Sequence, residues 1–150
     1  METRQVLFLD RDGVINVDVG YLSDPAKLEF IPGAIEAMQE AQRRGYDIIV
    51  VTNQSGVARG YYTEDDVHQL HEEMSRRLEA EGVKVLAYYY CPHHPEGSVA
   101  EYTKDCDCRK PNPGMLTKAI QDWNVDVDGS FLVGDKPSDA QAAESIGMRA

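Results

Sequence analysis

At 150 residues, with 42% hydrophobic content and a formal net charge of -11, the chain has the size of one compact domain and enough apolar mass for a core. So acidic a balance argues against nucleic acid or an anionic membrane as the main partner. Phosphorylated small molecules stay open, because they answer to local cations and metals. No apolar run approaches the roughly 18–20 residues that span a bilayer. No basic–apolar–small leader opens the chain, since Glu2, Arg4 and Gln5 interrupt it, and a cytoplasmic location is expected.

Val6 to Leu9 is a short apolar run that reads as a buried strand. It stops at Asp10, and Asp12 follows two residues on. Side chains alternate along extended backbone, so the two carboxylates aim into one volume at the carboxyl end of a strand, where open α/β sheets bind ligands. Gly13 lets the chain turn away at once. Two carboxylates this close repel unless a cation joins them, and an oxygen-only site suits Mg²⁺. A solvated turn is the plain alternative for this tetrapeptide by itself.

Asp18, Val19, Gly20 and Tyr21 begin a turn-rich loop that either overhangs this pocket or simply connects. A helix is expected from about Ala34 to Arg44, closed by Gly45. Tyr46 to Val51 is a second strand, ending at Thr52-Asn53-Gln54-Ser55-Gly56. A threonine hydroxyl and the backbone N–H groups after it can hold a phosphoryl oxygen. Arg59 is either a phosphate clamp or a surface loop residue. Thr63 and Asp66 open a helix to about Glu81. His68 and His71 lie on it three apart, and with nothing to complete a metal site they are expected on a solvated face. Val83 to Tyr90 is a third strand, a helix runs from Pro113 to about Trp123, and Ser130 to Val133 is a fourth strand closing with Gly134-Asp135-Lys136. The last helix is expected from about Ser138 to Ile146. This alternation predicts an α/β fold, a Rossmann-like parallel sheet flanked by helices, in one domain.

The segment from Cys91 to Pro113 is too long to stay ordered without a function or a staple. An odd count of three cysteines does not suggest a disulfide scaffold. Cys91-Pro92-His93 and Cys106-Asp107-Cys108 instead supply three thiolates and an imidazole, a closed tetrahedral Zn²⁺ site of the structural kind. His94 competes with His93 for the fourth position, and a loose loop with three thiols is the alternative to the whole site. Arg109 and Lys110 follow directly, so a staple would fix two cations near the carboxylates.

Together Asp10-Arg11-Asp12-Gly13, Thr52-Asn53-Gln54, Lys110-Pro111 and Gly134-Asp135 with Asp139 resemble the haloacid dehalogenase superfamily of phosphatases. More narrowly, Thr52 to Gly56, Ala58-Arg59-Gly60, Cys91-Pro92-His93-His94-Pro95 and Cys106 to Pro111 are similar to the D-glycero-D-manno-heptose 1,7-bisphosphate 7-phosphatases, which serve bacterial lipopolysaccharide core assembly. The resemblance implies that Asp10 is a nucleophile forming an aspartyl-phosphate and that Asp12 is the proton donor and acceptor. It implies that Thr52 and Lys110 hold phosphoryl oxygens, and that Mg²⁺ is held by the Asp10 carboxylate, the Asp12 backbone carbonyl and Asp135, with Asp139 behind. The zinc ligands become Cys91, His93, Cys106 and Cys108. Asp18 to Tyr21, Asn53, Gln54, Ser55, Arg59, Arg109 and Lys136 would meet a small phosphorylated sugar, and Lys136 would alternatively orient Asp10. There is no room for a cap domain, and a monomer is expected. Family members continue past Met148-Arg149-Ala150 into another edge strand; without it, exposed apolar surface on its neighbouring strand and on the final helix, and lower stability, are expected.

Histidinol-phosphate phosphatase is the nearest rival, but its substrate has one phosphate and a cationic amine, whereas the Ser55 to Gly60 loop with Arg59 suits a doubly phosphorylated sugar. From another class, a receiver-like phosphoacceptor lacks the acid two residues on and the zinc loop. A non-catalytic phosphosugar-binding fragment is the remaining alternative.

Overall fold

Val6–Leu9 form the first strand, β1, and all four of its residues are buried. The computed structural model describes residues 3–150; Met1 and Glu2, the second of which entered the leader argument, lie outside the described residues. β2 (Asp47–Asn53), β3 (Val85–Cys91) and β4 (Phe131–Val133) complete a parallel sheet in the order β3-β2-β1-β4. The helices are α1 (Ala34–Arg43), α2 (Glu64–Ala80), α3 (Gly114–Trp123) and α4 (Pro137–Glu144).

Both faces of the sheet are covered, which is why the strands read as continuous apolar runs. On one face Val6, Phe8, Ile49, Val51 and Leu132 pack with Met115, Leu116 and Ala119 of α3 and Ala142 and Ala143 of α4. On the other, Leu7, Leu9, Ile48 and Val50 pack with Met38 of α1 and Leu70, Met74 and Leu78 of α2. Each fully buried side chain of this size contributes about 1.5–3 kcal/mol. Truncating Phe8, which is fully buried, would cost about 3–5 kcal/mol. α2 starts where its capping pair dictates: the Asp66 N–H donates to Thr63 Oγ1 at 3.1 Å, and the Thr63 N–H donates to Asp66 Oδ2 at 2.9 Å.

Several elements differ from the sequence reading, and β3 starts at Val85 rather than Val83. β2 runs on through Thr52 and Asn53, because Asn53 pairs with Cys91 and draws that cysteine into β3. α4 spans Pro137–Glu144 rather than ending at Ile146. The long segment after β3 is not wholly irregular; it holds a short 3-10 turn, Ala100–Tyr102, and a bridge from His94 to Thr103.

The chain moves outward from β1 to β2 and β3, then returns to β4 on the other side of β1. Strand order therefore reverses at β1, and the crevice beyond its carboxyl end is where such sheets place ligands. β4 carries a single further parallel bridge, Phe131 to Arg149, with the Leu132 N–H donating to the Arg149 carbonyl at 3.0 Å. Val133 is 42% exposed, beside an apolar groove of about 660 Å³ lined by Leu7, Leu9, Met38 and Phe131 among others. Among the described residues no helix is long and apolar enough to cross a membrane.

Candidate active site

Asp10 leaves β1 with its N–H bonded to the Val133 carbonyl at 3.2 Å, which fixes it between β1 and β4. Lys110 Nζ lies 3.2 Å from Asp10 Oδ1, donates to the Val51 carbonyl at 3.0 Å, and pairs closely with Asp139. Asp10, Thr52, Lys110 and Asp139 are all buried. Burial pushes the Asp10 carboxyl above its ordinary range; Lys110 opposes that shift and Asp139 adds to it. The four line a small pocket of about 40 Å³, together with Asp12, Asn53, Lys136 and Ser138. Beside it, sharing Asp12, Asn53, Lys110, Lys136 and Ser138, is a cavity of about 550 Å³ also lined by Asp18, Gly20, Tyr21, Gln54, Ser55 and Arg109 among others.

Asp12 faces the same pocket but sits in a different cage. Arg11, wholly buried, grips it with a two-pronged fork, Nε to Oδ1 and Nη2 to Oδ2, both at 3.0 Å. Asn16 Nδ2 donates to Oδ1 at 3.0 Å and Gln54 Nε2 to Oδ2 at 3.2 Å. Burial alone would raise the Asp12 carboxyl, but the Arg11 charge and these hydrogen bonds hold it below the usual range. Asp10 and Asp12 are thus driven in opposite directions by their surroundings.

The structure reassigns several residues. Gln54 is buried, and both ends of its amide go to protein groups: Nε2 to Asp12 and to Thr52 Oγ1 at 2.9 Å, Oε1 from Arg11 and from Tyr62 Oη at 2.5 Å. It therefore holds Asp12 and Thr52 in place, and it also lines the cavity. Asn53 lines both the pocket and the cavity and also grips the Lys110 backbone. Its Oδ1 accepts from the Lys110 N–H at 3.0 Å and its Nδ2 donates to the Lys110 carbonyl at 3.3 Å. This clamp ties β2 to the loop that delivers Lys110. Val19 is 55% exposed and does not line the cavity. Arg59 stands back from it, with Nη2 3.2 Å from His94 Nε2 and its guanidinium over the Tyr21 ring. His71 is 5% exposed, not solvated, whereas His68 meets the Tyr90 hydroxyl near the surface.

Arg11, Asn16 and His71 were missed by the sequence reading. Arg11 sits between two aspartates and reads as part of a polar turn. A signal for His71 did exist: it falls four residues after Val67 and three before Met74, on the stripe that α2 buries.

Two metal-capable clusters emerge among the described residues, with ligand atoms all within 4.8 Å of one another: Asp10, Asp135 and Asp139, and Cys91, His93, Cys106 and Cys108. The first is all carboxylate oxygen, the donor set a hard divalent cation takes, and Mg²⁺ fits it. Glycines make the approach possible, since a Cβ on Gly13 would run into the Asp135 carboxylate and one on Gly134 into Asp139. In the second, Cys106 Sγ lies 3.2 Å from Cys91 Sγ and 3.0 Å from Cys108 Sγ, with His93 Nδ1 3.8 and 3.5 Å from Cys91 and Cys108. The sequence reading expects no disulfide, yet Cys91 and Cys108 meet in sulfur–sulfur contact because all four ligands converge on one point. Three sulfurs and one imidazole are the donor set of a tetrahedral zinc site.

A parallel sheet with paired aspartates after β1, a threonine on β2, a lysine from the following loop and an acidic pair after β4 defines a HAD-like phosphatase. A family model described as polynucleotide kinase 3 phosphatase matches residues 18–145. The D-glycero-beta-D-manno-heptose-1,7-bisphosphate 7-phosphatase of Pasteurella multocida is 50% identical over 97% of this chain and 79% of its own. The chain belongs to that phosphatase family and to the D-glycero-beta-D-manno-heptose-1,7-bisphosphate 7-phosphatases. Among solved structures, a putative HAD-like phosphatase from Mesorhizobium loti superposes with a TM-score of 0.92 at 41% identity, covering 97% of this chain and 70% of that one. The D,D-heptose 1,7-bisphosphate phosphatase of B. bronchiseptica, complexed with magnesium and phosphate, gives 0.85 at 34% identity over 96% and 77%.

Proposed function

We propose that this chain removes the C7 phosphate of D-glycero-D-manno-heptose 1,7-bisphosphate through an aspartyl-phosphate, in bacterial heptose and lipopolysaccharide core synthesis. The observation that carries the reading is the pairing of Asp10 with Lys110 beside a separately caged Asp12, in a chain half identical to heptose bisphosphatases. Asp10 attacks phosphorus, the bond to the C7 oxygen breaks, and Asp12 gives that oxygen a proton. Water then attacks the aspartyl-phosphate, Asp12 takes its proton, and inorganic phosphate leaves. Thr52 and Lys110 hold the phosphoryl oxygens in line.

The low pKa of Asp12 leaves it ionised in the free protein, ready for the second half of the cycle. For the first half a proton must arrive, and a phosphate monoester, with its second pKa near 6, can bring one. Asp10, Asp135 and the Asp12 carbonyl would hold Mg²⁺, with Asp139 beside them; when bound, the ion neutralises phosphoryl charge and favours the ionised Asp10. Cys91, His93, Cys106 and Cys108 would hold a structural Zn²⁺ that keeps Arg109 and Lys110 in place. Asp18, Gly20, Tyr21, Ser55, Arg109 and Lys136 line the cavity for the sugar and its second phosphate, and Arg59 backs Tyr21. We take residues 1–150 as one phosphatase domain, acting as a cytoplasmic monomer.

The test is phosphate release with Mg²⁺ from the heptose bisphosphate, histidinol phosphate and a 3′-phosphorylated oligonucleotide. The last is included because of the name of the matching family model. The reading expects the highest kcat/KM for the heptose bisphosphate. Preference for either of the others overturns it, and the net charge of -11 already weighs against the oligonucleotide.

A further inference from the structure

We propose that His71 is a positioning residue for proton transfer, acting through Arg11: its ring supplies the acceptor that locks the guanidinium, whose fork in turn fixes the Asp12 carboxylate. The inference rests on the assignment of Asp12 as the proton-transfer group.

Arg11 is completely buried, and a guanidinium carries five N–H donors and no acceptor. Nε and Nη2 face Asp12, and Nη2 also reaches the Leu22 carbonyl at 3.3 Å and Gln54 Oε1 at 3.2 Å. Nη1 points the other way, to His71 Nε2 at 3.3 Å. That corner needs a lone pair, so Nε2 must be unprotonated. Burial, reinforced by the Arg11 charge, keeps the imidazole neutral, with its pKa pushed down to about 3. The ring is held by its neighbours. It is stacked on Tyr88, centroids 4.4 Å apart and planes 15° apart, and the Tyr88 hydroxyl bonds Ser75 at 2.8 Å. α2 and β3 thus hold the imidazole, the imidazole holds the guanidinium, and the guanidinium holds the carboxylate. An apolar residue would fill the same space on the α2 stripe but would leave Nη1 buried without an acceptor, freeing the fork to tilt.

Variants His71→Phe, His71→Gln, Asp12→Asn and the double Asp12→Asn/His71→Phe separate this role from core packing. The readouts are thermal midpoint and kcat/KM with Mg²⁺ on the heptose bisphosphate and on p-nitrophenyl phosphate, whose leaving group departs without a proton. His71→Phe is expected to lose about 10–100-fold on the sugar and no more than about threefold on p-nitrophenyl phosphate. His71→Gln, which offers an acceptor oxygen, is expected to recover most of that loss. In the Asp12→Asn background His71→Phe should cost nothing further. Arg11→Lys, which keeps the charge but not the fork, serves as an independent probe should His71→Phe fail to fold, and should show the same selective loss. Equal losses on both substrates, a fall in thermal midpoint alone, or a further loss in the Asp12→Asn background would overturn the proposal. Wild-type activity in Asp12→Asn alone would overturn the assignment of Asp12, and the proposal with it; a dead Asp12→Asn beside a fully active His71→Phe would overturn only the proposal.

Discussion

The carboxylate pocket and the thiol cluster both gather charged ligands at the end of a strand, yet they are stabilised in opposite ways. In the pocket the protein supplies its own countercharges: Lys110 between Asp10 and Asp139, and Arg11 across Asp12. In the thiol cluster Cys91, His93, Cys106 and Cys108 come together as three sulfurs and one imidazole. The pocket is therefore organised by the protein's own charges, and a bound ion would serve its chemistry. The thiol cluster would instead rely on a bound Zn²⁺ to balance its thiolates, beside the loop bonds from Asn112 to the Cys106 carbonyl and from Gly114 to the Asp107 carbonyl. Asn53 joins them, since it grips the Lys110 backbone from the end of β2.

The largest expected effect lies in the pocket. Asp10→Asn should lower turnover by at least about a thousandfold while leaving the unfolding midpoint near wild type, because Lys110 keeps Asp139 as a partner. Steady-state phosphate release and denaturant unfolding on the same sample check both halves. Next comes the thiol cluster. Cys106→Ser, or removal of zinc by a chelator, should open residues 91–113 to proteolysis and lower activity at least about tenfold, with the sheet still folded. An untouched loop with full activity would break the contrast between the two sites.

The buried His71 gives a pH signature that belongs to the pocket side. Its folded pKa of about 3 lies below the ordinary 6.5, so between those values the unfolded chain binds the extra proton. Stability is fully present above about pH 6.5 and falls as pH drops, by up to about 1.4 kcal/mol per pH unit. Denaturant melts at pH 5 and pH 7 on wild type and His71→Gln should show a steeper loss in wild type. The smallest effect tests the link. Asn53→Ala removes both bonds to Lys110 and should cost about 1–2 kcal/mol of stability with a severalfold drop in kcat. No change in kcat would mean that the loop places Lys110 without help from β2.

Much of this was legible in the chain. The apolar runs at Val6 and Ile48 announce strands buried on both faces, and polar clusters at their ends announce a ligand crevice. Four soft or borderline ligands in two tight pairs announce the thiol site, because cysteine is rare enough for its spacing to speak. What stayed hidden was the buried polar layer behind the catalytic side chains. Gln54 and Asn53 follow Thr52 and line the cavity, but only the pairing of β2 with β3 and the approach of the Lys110 loop show that their amides also hold Thr52 and Lys110 in place. Arg11 was hidden for a related reason: a guanidinium is buried only when enough acceptors converge on it, and its partners Gln54 and His71 lie 43 and 60 residues away.

The division of labour between Asp10 and Asp12 is the central claim, and trapping the covalent state tests it most directly. The wild-type protein would be mixed with Mg²⁺ and the heptose bisphosphate, quenched within a turnover, reduced with borohydride and mapped by mass spectrometry. Reduction turns an aspartyl-phosphate into homoserine, and the account predicts homoserine at residue 10 alone. Homoserine at residue 12, or none at either position while phosphate is released, would contradict it.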